Sequence, residues 1–448
     1  MLIIMTEVKL VKNKIKKLST REELKTFSNE ALIDRVLQLE AHNLQLKNII
    51  TKQMHDDSMQ NSDCPKSGKG FDFSKSHKRH ILLKFYYLGW DYQGFATQED
   101  TINTIEHHLF AALKKSCLIQ NREESNYHRC GRTDKGVSAF SQVISLDVRS
   151  KLSQENQNNL QEELPYCKIL NRLLPQNIRC ICWSPAAADI SARFNCKQRQ
   201  YKYFFPRGNL NINDMNTAVR YTIGTHDFRN ICKMDVANGV VSFIRAVSAA
   251  EISLCTKSSE QVEASGYDMC QLTLTGQAFL WHQIRCLMGI LLLVGQGKER
   301  PEVILELLNV EKYPRKPQYS MACEIPLNLF HTDFEITEWI FDQDELVQVI
   351  KTLQSDWASN AIKSAMTRDM LTDMQSKLAN DTELNFQSDC LLTGVKSKVY
   401  QPLLQRTTCE TLENRIEHYV KKRRLEVKQY EQVDESISQD SESSIKYC

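Results

Sequence analysis

Tyr127-His128-Arg129-Cys130-Gly131-Arg132-Thr133-Asp134-Lys135-Gly136-Val137-Ser138-Ala139 is the densest stretch of chemistry in the chain. Two glycines bracket a single carboxylate, an arginine stands two residues before it, and an alternating apolar run follows from Gln142 to Val148. Glycine takes backbone shapes that other residues resist, so the pattern predicts a shaped loop feeding a strand over 142–148. Arg132 and Lys135 flank Asp134, and nearby cations favour a charged carboxylate, which predicts an ionised Asp134. An ionised carboxylate in a basic loop suits a nucleophile or general base working on an anionic polymer. On spacing alone, a salt-bridged Asp closing a tight turn is the commoner outcome.

On the N-terminal side of this loop, Ile81–Tyr87 is apolar and β-rich, and Gly89-Trp90-Asp91 reads as a turn. Thr104 is placed to cap a helix whose apolar face is Ile105, Leu109, Phe110 and Leu113. On the C-terminal side, strands are predicted over Arg199–Phe205, Ile244–Leu254 and Cys270–Thr275, and an apolar helix over Phe279–Val294. Many connections are too short for regular βαβ crossovers. The fold class is therefore α+β, with a mixed, mostly antiparallel sheet and flanking helices. Residues 342–387 turn helical and polar, carrying Trp357, Met366, Met370, Leu371, Met374 and Leu378, and read as an insertion.

The N-terminal region has a different character. Thr20 and Glu23 have capping-box spacing, and Asn29, Leu32, Val36, Leu39, Asn43, Leu46 and Ile50 alternate steps of three and four. Asn at a seam position fixes register, so a short parallel homodimeric coiled coil is one reading. The other is a single amphipathic helix docked on the body or on RNA. The predicted organisation is a basic segment over 1–19, this helix over 20–50 and a polar linker over 51–77. A folded body then spans 78–340 in two subdomains, 78–195 and 196–340. The insertion takes 341–395, a C-terminal extension 396–425, and a disordered Ser/Glu/Asp/Gln tail 426–448. Lys421-Lys422-Arg423-Arg424 reads as a nuclear import signal, a phosphate contact or a solvated face.

Bulk composition excludes several function classes. The 448 residues carry 57 Lys+Arg against 55 Asp+Glu, a formal net charge of +2, so any nucleic-acid binding has to come from clustered rather than bulk charge. None of the 15 cysteines stands three from another, which argues against zinc ribbons and zinc nucleobase deaminases, and no metal site is predicted. The longest apolar stretch, Cys286–Val294, is too short to span a bilayer, so no membrane partner is expected. Met1-Leu2-Ile3-Ile4-Met5 lacks the apolar core of a secretory signal; a mitochondrial presequence fits poorly, since Lys replaces Arg and Glu7 intrudes. Gly295-Gln296-Gly297 follows a helix instead of a strand and makes no phosphate loop.

The run Gly131–Ala139 resembles the catalytic loop of the TruA-type pseudouridine synthases. Ala192-Arg193-Phe194 and Arg199-Gln200-Tyr201-Lys202-Tyr203 resemble that family's strand bearing the active-site tyrosine. Gly276-Gln277-Ala278-Phe279-Leu280-Trp281-His282-Gln283-Ile284-Arg285 resembles its later strand-to-helix segment, and Pro317-Gln318-Tyr319 with Ser320-Met321 resembles the end of the common body. Four motifs in order over about residues 78–340 are far more specific than any one. Lys135 departs from the bacterial pattern, where a small residue is usual. His226–Asn230, Cys232–Asp235, the N-terminal helix, the insertion and Tyr400–Leu404 are similar to the eukaryotic branch acting on tRNA positions 38 and 39.

The resemblance implies the family's fold with a central RNA-binding cleft, and an isomerase that turns uridine into pseudouridine in the tRNA anticodon stem-loop. Such an exchange breaks N1–C1′ and joins C5 to C1′ without redox change, so no cofactor is expected. Asp134 would be the nucleophile, attacking either the sugar or the base. Arg132 would fill the vacated stack or hold phosphate, with pairing to Asp134 as its bland alternative. Tyr201 would stack on the uracil and help move the C5 proton; on composition alone it is a core aromatic of a strand. Arg285 would pair with Asp134 and hold it ionised. His282 would bind phosphate or be a satisfied core histidine, and Lys135 is a further substrate-binding candidate. A homodimer and a nuclear and cytoplasmic location complete the expectation. The competing readings are a pseudouridine synthase acting on other tRNA or mRNA uridines, a non-catalytic tRNA-binding or folding protein of the same fold, and a coiled-coil scaffold. The scaffold leaves the four ordered motifs unexplained.

Overall fold

The computed structural model describes residues 71–420, apart from 237–238, 256–264, 336–337, 379–383, 385 and 393–398. The heptad helix, the basic run at 421–424 and the tail lie outside the described residues. The chain divides into Met1–Asp72 and Phe73–Cys448, and the second unit carries the fold.

Among the described residues nine strands form one sheet: β1 His77–Tyr87, β2 His128–Arg129, β3 Ser138–Ser150, β4 Ile178–Pro185, β5 Cys196–Pro206, β6 Gly224–Asp227, β7 Ile244–Leu254, β8 Met269–Gly276 and β9 Leu327–Phe334. Their order is β4-β1-β3-β9-β5-β8-β7-β6, with β2 paired to β3. Every pairing is antiparallel except β3 with β9, which run parallel through Ser138↔Asn328 and Ala139↔Leu329. That short parallel contact is a seam between two antiparallel halves. The helices are α1 Ile105–Lys115, α2 Tyr166–Asn171, α3 Ile212–Arg220, α4 Gln283–Gly295, α5 Val303–Leu308 and α6 Gln343–Gln375. The α+β, mostly antiparallel expectation is thus met.

Local chemistry accounts for the boundaries. Thr104 caps α1, its hydroxyl accepting from the His107 backbone N–H at 3.3 Å, and Asp342 caps α6 by accepting from Glu345 N–H at 3.1 Å. β1 begins four residues earlier than the apolar pattern predicts. Its extra stretch is polar: His77 and Lys78 are exposed, whereas Arg79 is buried against Glu163, its Nε donating at 2.9 Å, and the buried His80 meets Asp147. β4 and β9 escaped the sequence reading because their inward faces are short and built partly from small or polar groups, Ile178, Cys180 and Cys182 in one, Leu327, Leu329 and Thr332 in the other. The apolar helix predicted from Phe279 starts instead at Gln283, because His282 adopts a left-handed backbone (φ 58°) that no α-helix continues through.

Two main cores flank the seam. One gathers Ile81, Leu83, Phe85 and Tyr87 of β1 with α1, α2 and β4; the other gathers Tyr203, Phe205, Leu272 and Leu274 with α3, α4 and α5. Tyr201 packs against both. Leu403 and Leu412, far beyond α6, are buried in the second core. α6 itself is a 33-residue helix in which only Val349 is buried, and Trp357 stands 72% exposed. It therefore adds little to either core.

Candidate active site

Residues 130–137 connect β2 to β3 and deliver Asp134 to the seam. The loop is pinned from several directions. Tyr87 Oη and Thr133 Oγ1 share a hydrogen bond of 2.7 Å, Gln142 Nε2 donates to Gly131 O at 3.1 Å, and Phe95 N–H donates to Thr133 O at 3.1 Å. Gly136 sits at φ 77°, and a Cβ there would come within 2.7 Å of Glu324 Cγ, so glycine is required. Gly131 is different: a Cβ would find no atom closer than 3.9 Å, and that nearest atom is the Tyr201 hydroxyl. Of the two bracketing glycines, only the second is demanded by backbone shape.

A cavity of about 400 Å³ opens on this loop, lined by Arg132, Asp134, Tyr201, Asp235, Phe279, Trp281, His282 and Arg285 among others. Its size lies within the usual range for small-molecule sites. Five separate sequence regions meet there, residues 132–137, 201, 235, 279–285 and 327. Asp134 Oδ1 accepts from Trp281 Nε1–H at 3.2 Å, and Asp134 Oδ2 lies 3.3 Å from His282 Nε2. Lys233 stands behind the indole, its Nζ 4.4 Å from the ring centroid and its backbone N–H donating to Trp281 O at 3.0 Å. Tyr201, on β5 opposite Leu274 and Leu329, meets Phe279 edge-on with ring centroids 5.3 Å apart.

The electrostatics depart from the sequence expectation in two respects. Burial raises the Asp134 carboxyl above its ordinary pKa, opposed by Arg285, by the Trp281 hydrogen bond and by Lys233, and reinforced by Glu324. The flanking Arg132 and Lys135 do not hold it ionised: Arg132 is exposed toward the cavity and joined to Asp134 by no hydrogen bond or ion pair, and Lys135 is exposed outside the cavity lining. The second correction concerns Arg285. Its Nη2 pairs with Glu324 Oε2 at 2.8 Å and its Nε donates to Ala322 O at 2.9 Å, so it acts on Asp134 through its field and not by direct pairing. A near-buried guanidinium requires a hydrogen-bonded counter-ion, and Glu324 is within reach.

His282 is neither a core histidine with all its partners nor an obvious phosphate ligand. Burial, then Arg285, Lys233 and Lys316, pull its pKa down to about 4, so its contact with Asp134 joins a neutral imidazole to a carboxyl group. Its Nδ1 is buried without a partner. Burial raises the Tyr201 phenol well above its ordinary pKa and keeps it protonated at neutral pH. Arg132 stands among cations, its own pKa lowered first by Arg129, then by burial and Arg193. Sequence reasoning assigned no role to Trp281, Phe279, Lys233 or Glu324. The first three stood within stretches already quoted, whereas Glu324 carried no sequence signal.

Among the described residues no group of three or more His, Cys, Asp or Glu is placed to hold a metal ion, and no helix is long and apolar enough to cross a membrane. Residues 218–335 match the family model for tRNA pseudouridine synthase. The chain is 46% identical over 426 residues to the tRNA pseudouridine(38/39) synthase of Homo sapiens, covering 89% of each. It is 39% identical over 352 residues to the protein of the same name in Saccharomyces cerevisiae, covering 75% of this chain and 76% of that one. It is 28% identical over 262 residues to tRNA pseudouridine synthase A of Methanosarcina mazei, covering 58% and 87%. With 46% identity to the human protein over 89% of each chain, and a half-buried Asp134 facing the same cavity as Tyr201, the chain belongs to the tRNA pseudouridine synthase family.

Proposed function

We propose that the protein isomerises uridines 38 and 39 in the anticodon stem-loop of tRNA to pseudouridine, with Asp134 as nucleophile. The observation that carries the reading is the half-buried Asp134, held between Trp281 and His282 in the lining of a cavity large enough for a flipped nucleoside. The reaction breaks N1–C1′, turns the uracil, joins C5 to C1′ and moves the C5 proton to N1. Asp134 attacks the sugar or the base; Tyr201, protonated and facing the same space, supports the ring and hands on the proton. Arg132, exposed and in the cavity lining, supplies a cation for phosphate or for the vacated stack. Arg285 and Lys233 supply the field that favours the carboxylate.

The positional assignment rests on the names of the human and yeast relatives and on the similarity over most of each chain. The heptad seam supports a homodimer, and the 421–424 run supports a nuclear pool beside a cytoplasmic one. The test is carbodiimide labelling of tRNA transcripts carrying uridine at 38 and 39, incubated with and without the protein. Labelling confined to those positions is the expected result. Labelling at other uridines alone would move the assignment to another substrate, and none at all would leave a binding protein.

A further inference from the structure

Directly before the catalytic loop lies a contact that the isomerisation does not use. Cys130 follows β2 and adjoins Gly131, while Cys196 opens β5 five residues before Tyr201. Both are free and 4% exposed, and their sulfurs approach to 3.4 Å, Cys130 Sγ–H donating to Cys196 Sγ. A disulfide has sulfurs about 2.05 Å apart, so closure needs a movement of only about 1.4 Å. The surroundings couple that movement to the site. The Cys130 carbonyl accepts from Arg199 Nε at 3.2 Å and Nη2 at 2.9 Å, and its N–H donates to Val143 O at 2.9 Å. Two residues further along stands Arg132, and four along stands Asp134.

The two thiols differ chemically. The hydrogen bond from Cys130 holds the Cys196 thiol below its ordinary pKa, helped by Arg199 against the opposing effect of burial; the same bond and burial push Cys130 up. Cys196 also forms part of the wall of a second cavity of about 310 Å³, with Phe194, Asn195, Lys197, Gln277 and Glu335. A small hydroperoxide fits such a space. A thiol of lowered pKa next to a resolving thiol is the arrangement that redox-sensitive cysteines require.

We infer that Cys130 and Cys196 are an oxidation site, closing under a hydroperoxide to a reversible disulfide that slows isomerisation by shifting the Arg132–Asp134 loop. Cys196 thiolate attacks the outer peroxide oxygen; an S–O bond forms, the O–O bond breaks, and the alkoxide leaves as alcohol after taking a proton from water. Cys130 sulfur then attacks Cys196 sulfur; the S–S bond forms, the S–O bond breaks, and hydroxide leaves with the Cys130 proton as water. Two thiols lose two electrons in total, and the peroxide gains them.

The slowed rate rests on the function proposed above, but the disulfide does not, so the two are measured separately. The reduced full-length chain is treated with tert-butyl hydroperoxide, alkylated under denaturing conditions and mapped by peptide mass, with and without dithiothreitol. A dithiothreitol-sensitive peptide linking Cys130 to Cys196 is expected, with turnover on tRNA falling on the order of tenfold and recovering on reduction. Cys196→Ala and Cys130→Ala should each lack the link, and turnover of each should not respond to the oxidant. The wild-type peptide map stands even if a variant folds poorly. The inference is overturned if Cys130 and Cys196 are both alkylated at a dose that oxidises the exposed Cys255 and Cys390. It is equally overturned if the link forms and turnover is unchanged.

Discussion

Asp134 and Trp281 stand 147 residues apart in the chain, and the indole N–H of one donates to the carboxylate of the other at 3.2 Å. The contact joins the β2–β3 loop to the segment that leads into α4, and so ties the two halves of the sheet together at the parallel seam. It also acts on the acidity of the reacting group: burial raises the carboxyl, and the Trp281 donor, with Arg285, opposes that by favouring the charged form.

Replacement of Asp134 by Asn is expected to abolish pseudouridine formation while leaving tRNA binding within a few-fold. The same change should raise thermal stability at neutral pH. A carboxyl whose folded pKa lies above its unfolded value favours the fold in its protonated form, and that contribution is lost as pH rises through the folded pKa. Asn carries no charge and escapes the loss. Melting curves from acid to neutral pH check the sign: the variant's advantage should shrink as pH falls below the carboxylate range. An Asp134→Asn protein that still converts uridine would remove Asp134 as nucleophile.

Arg285 and Glu324 should shift the acid limb of the pH–rate profile in opposite directions. Glu324 raises the Asp134 pKa and Arg285 lowers it. Glu324→Gln is therefore predicted to extend activity to lower pH, and Arg285→Gln to retract it to higher pH. The second variant also leaves the half-buried Glu324 and the Ala322 carbonyl without their guanidinium donor, so its melting temperature should fall. Identical limbs in both variants and the wild type would mean that the limb reports another group.

The contrast between Asp134 and Arg285 marks what the chain discloses in one dimension. The loop was legible because its glycines, cations and carboxylate lie within nine residues, and β1, β3, β5, β7 and β8 were legible because each keeps a β-rich apolar run or, in β3, an alternating one. The partner of Arg285 was not. It comes from Glu324, 39 residues on, and that choice depends on how residues 320–324 pass beside α4. The left-handed His282 was equally hidden, since apolar periodicity runs smoothly through 279–294 and gives no hint that four residues are withheld to line the cavity. The reading of Asp134 as held ionised by its neighbours in sequence failed for the same reason: Arg132 and Lys135 point elsewhere, and burial dominates.

Tyr201→Phe keeps the ring between the two cores and removes only the hydroxyl. A rate loss of roughly 10²-fold or more is expected, in line with the loss of a positioned proton-transfer group, with a melting temperature close to wild type. A large fall in melting temperature with little change in rate would instead make Tyr201 a core aromatic.

Removal of residues 1–72 should leave a cooperatively folding body, because the chain divides at Asp72 and β1 begins only at His77. Light scattering is expected to report a dimer for the full chain and a monomer for the truncated one. Equal masses, scaled for length, would exclude the heptad seam as the dimer interface.

The origin of affinity separates Arg132 from Lys135. A net charge of +2 forces binding to rely on local clusters, and Arg132 with Arg129 and Arg193 forms one beside the cavity. Arg129 is partly neutralised, since it shares the fully buried Glu106 with Arg122. Arg132 is exposed and makes no ion pair, though Glu106 and Asp235 act on it from a distance, so it can displace counterions from RNA. Each phosphate neutralised adds about 0.7 to 0.9 to the slope of log affinity against log salt. Arg132→Ala should therefore flatten the slope by about one unit. Lys135 is exposed but stands outside the cavity lining, and its replacement by Ala should flatten the slope as well only if the RNA backbone runs over the outer side of the loop. Filter binding from low to moderate salt with both variants thus traces the path of the RNA across residues 132–135. An unchanged slope for Arg132→Ala would place Arg132 in the vacated base stack, where it is read by rate and not by salt. A slope near zero for the unmodified protein would exclude an RNA substrate altogether.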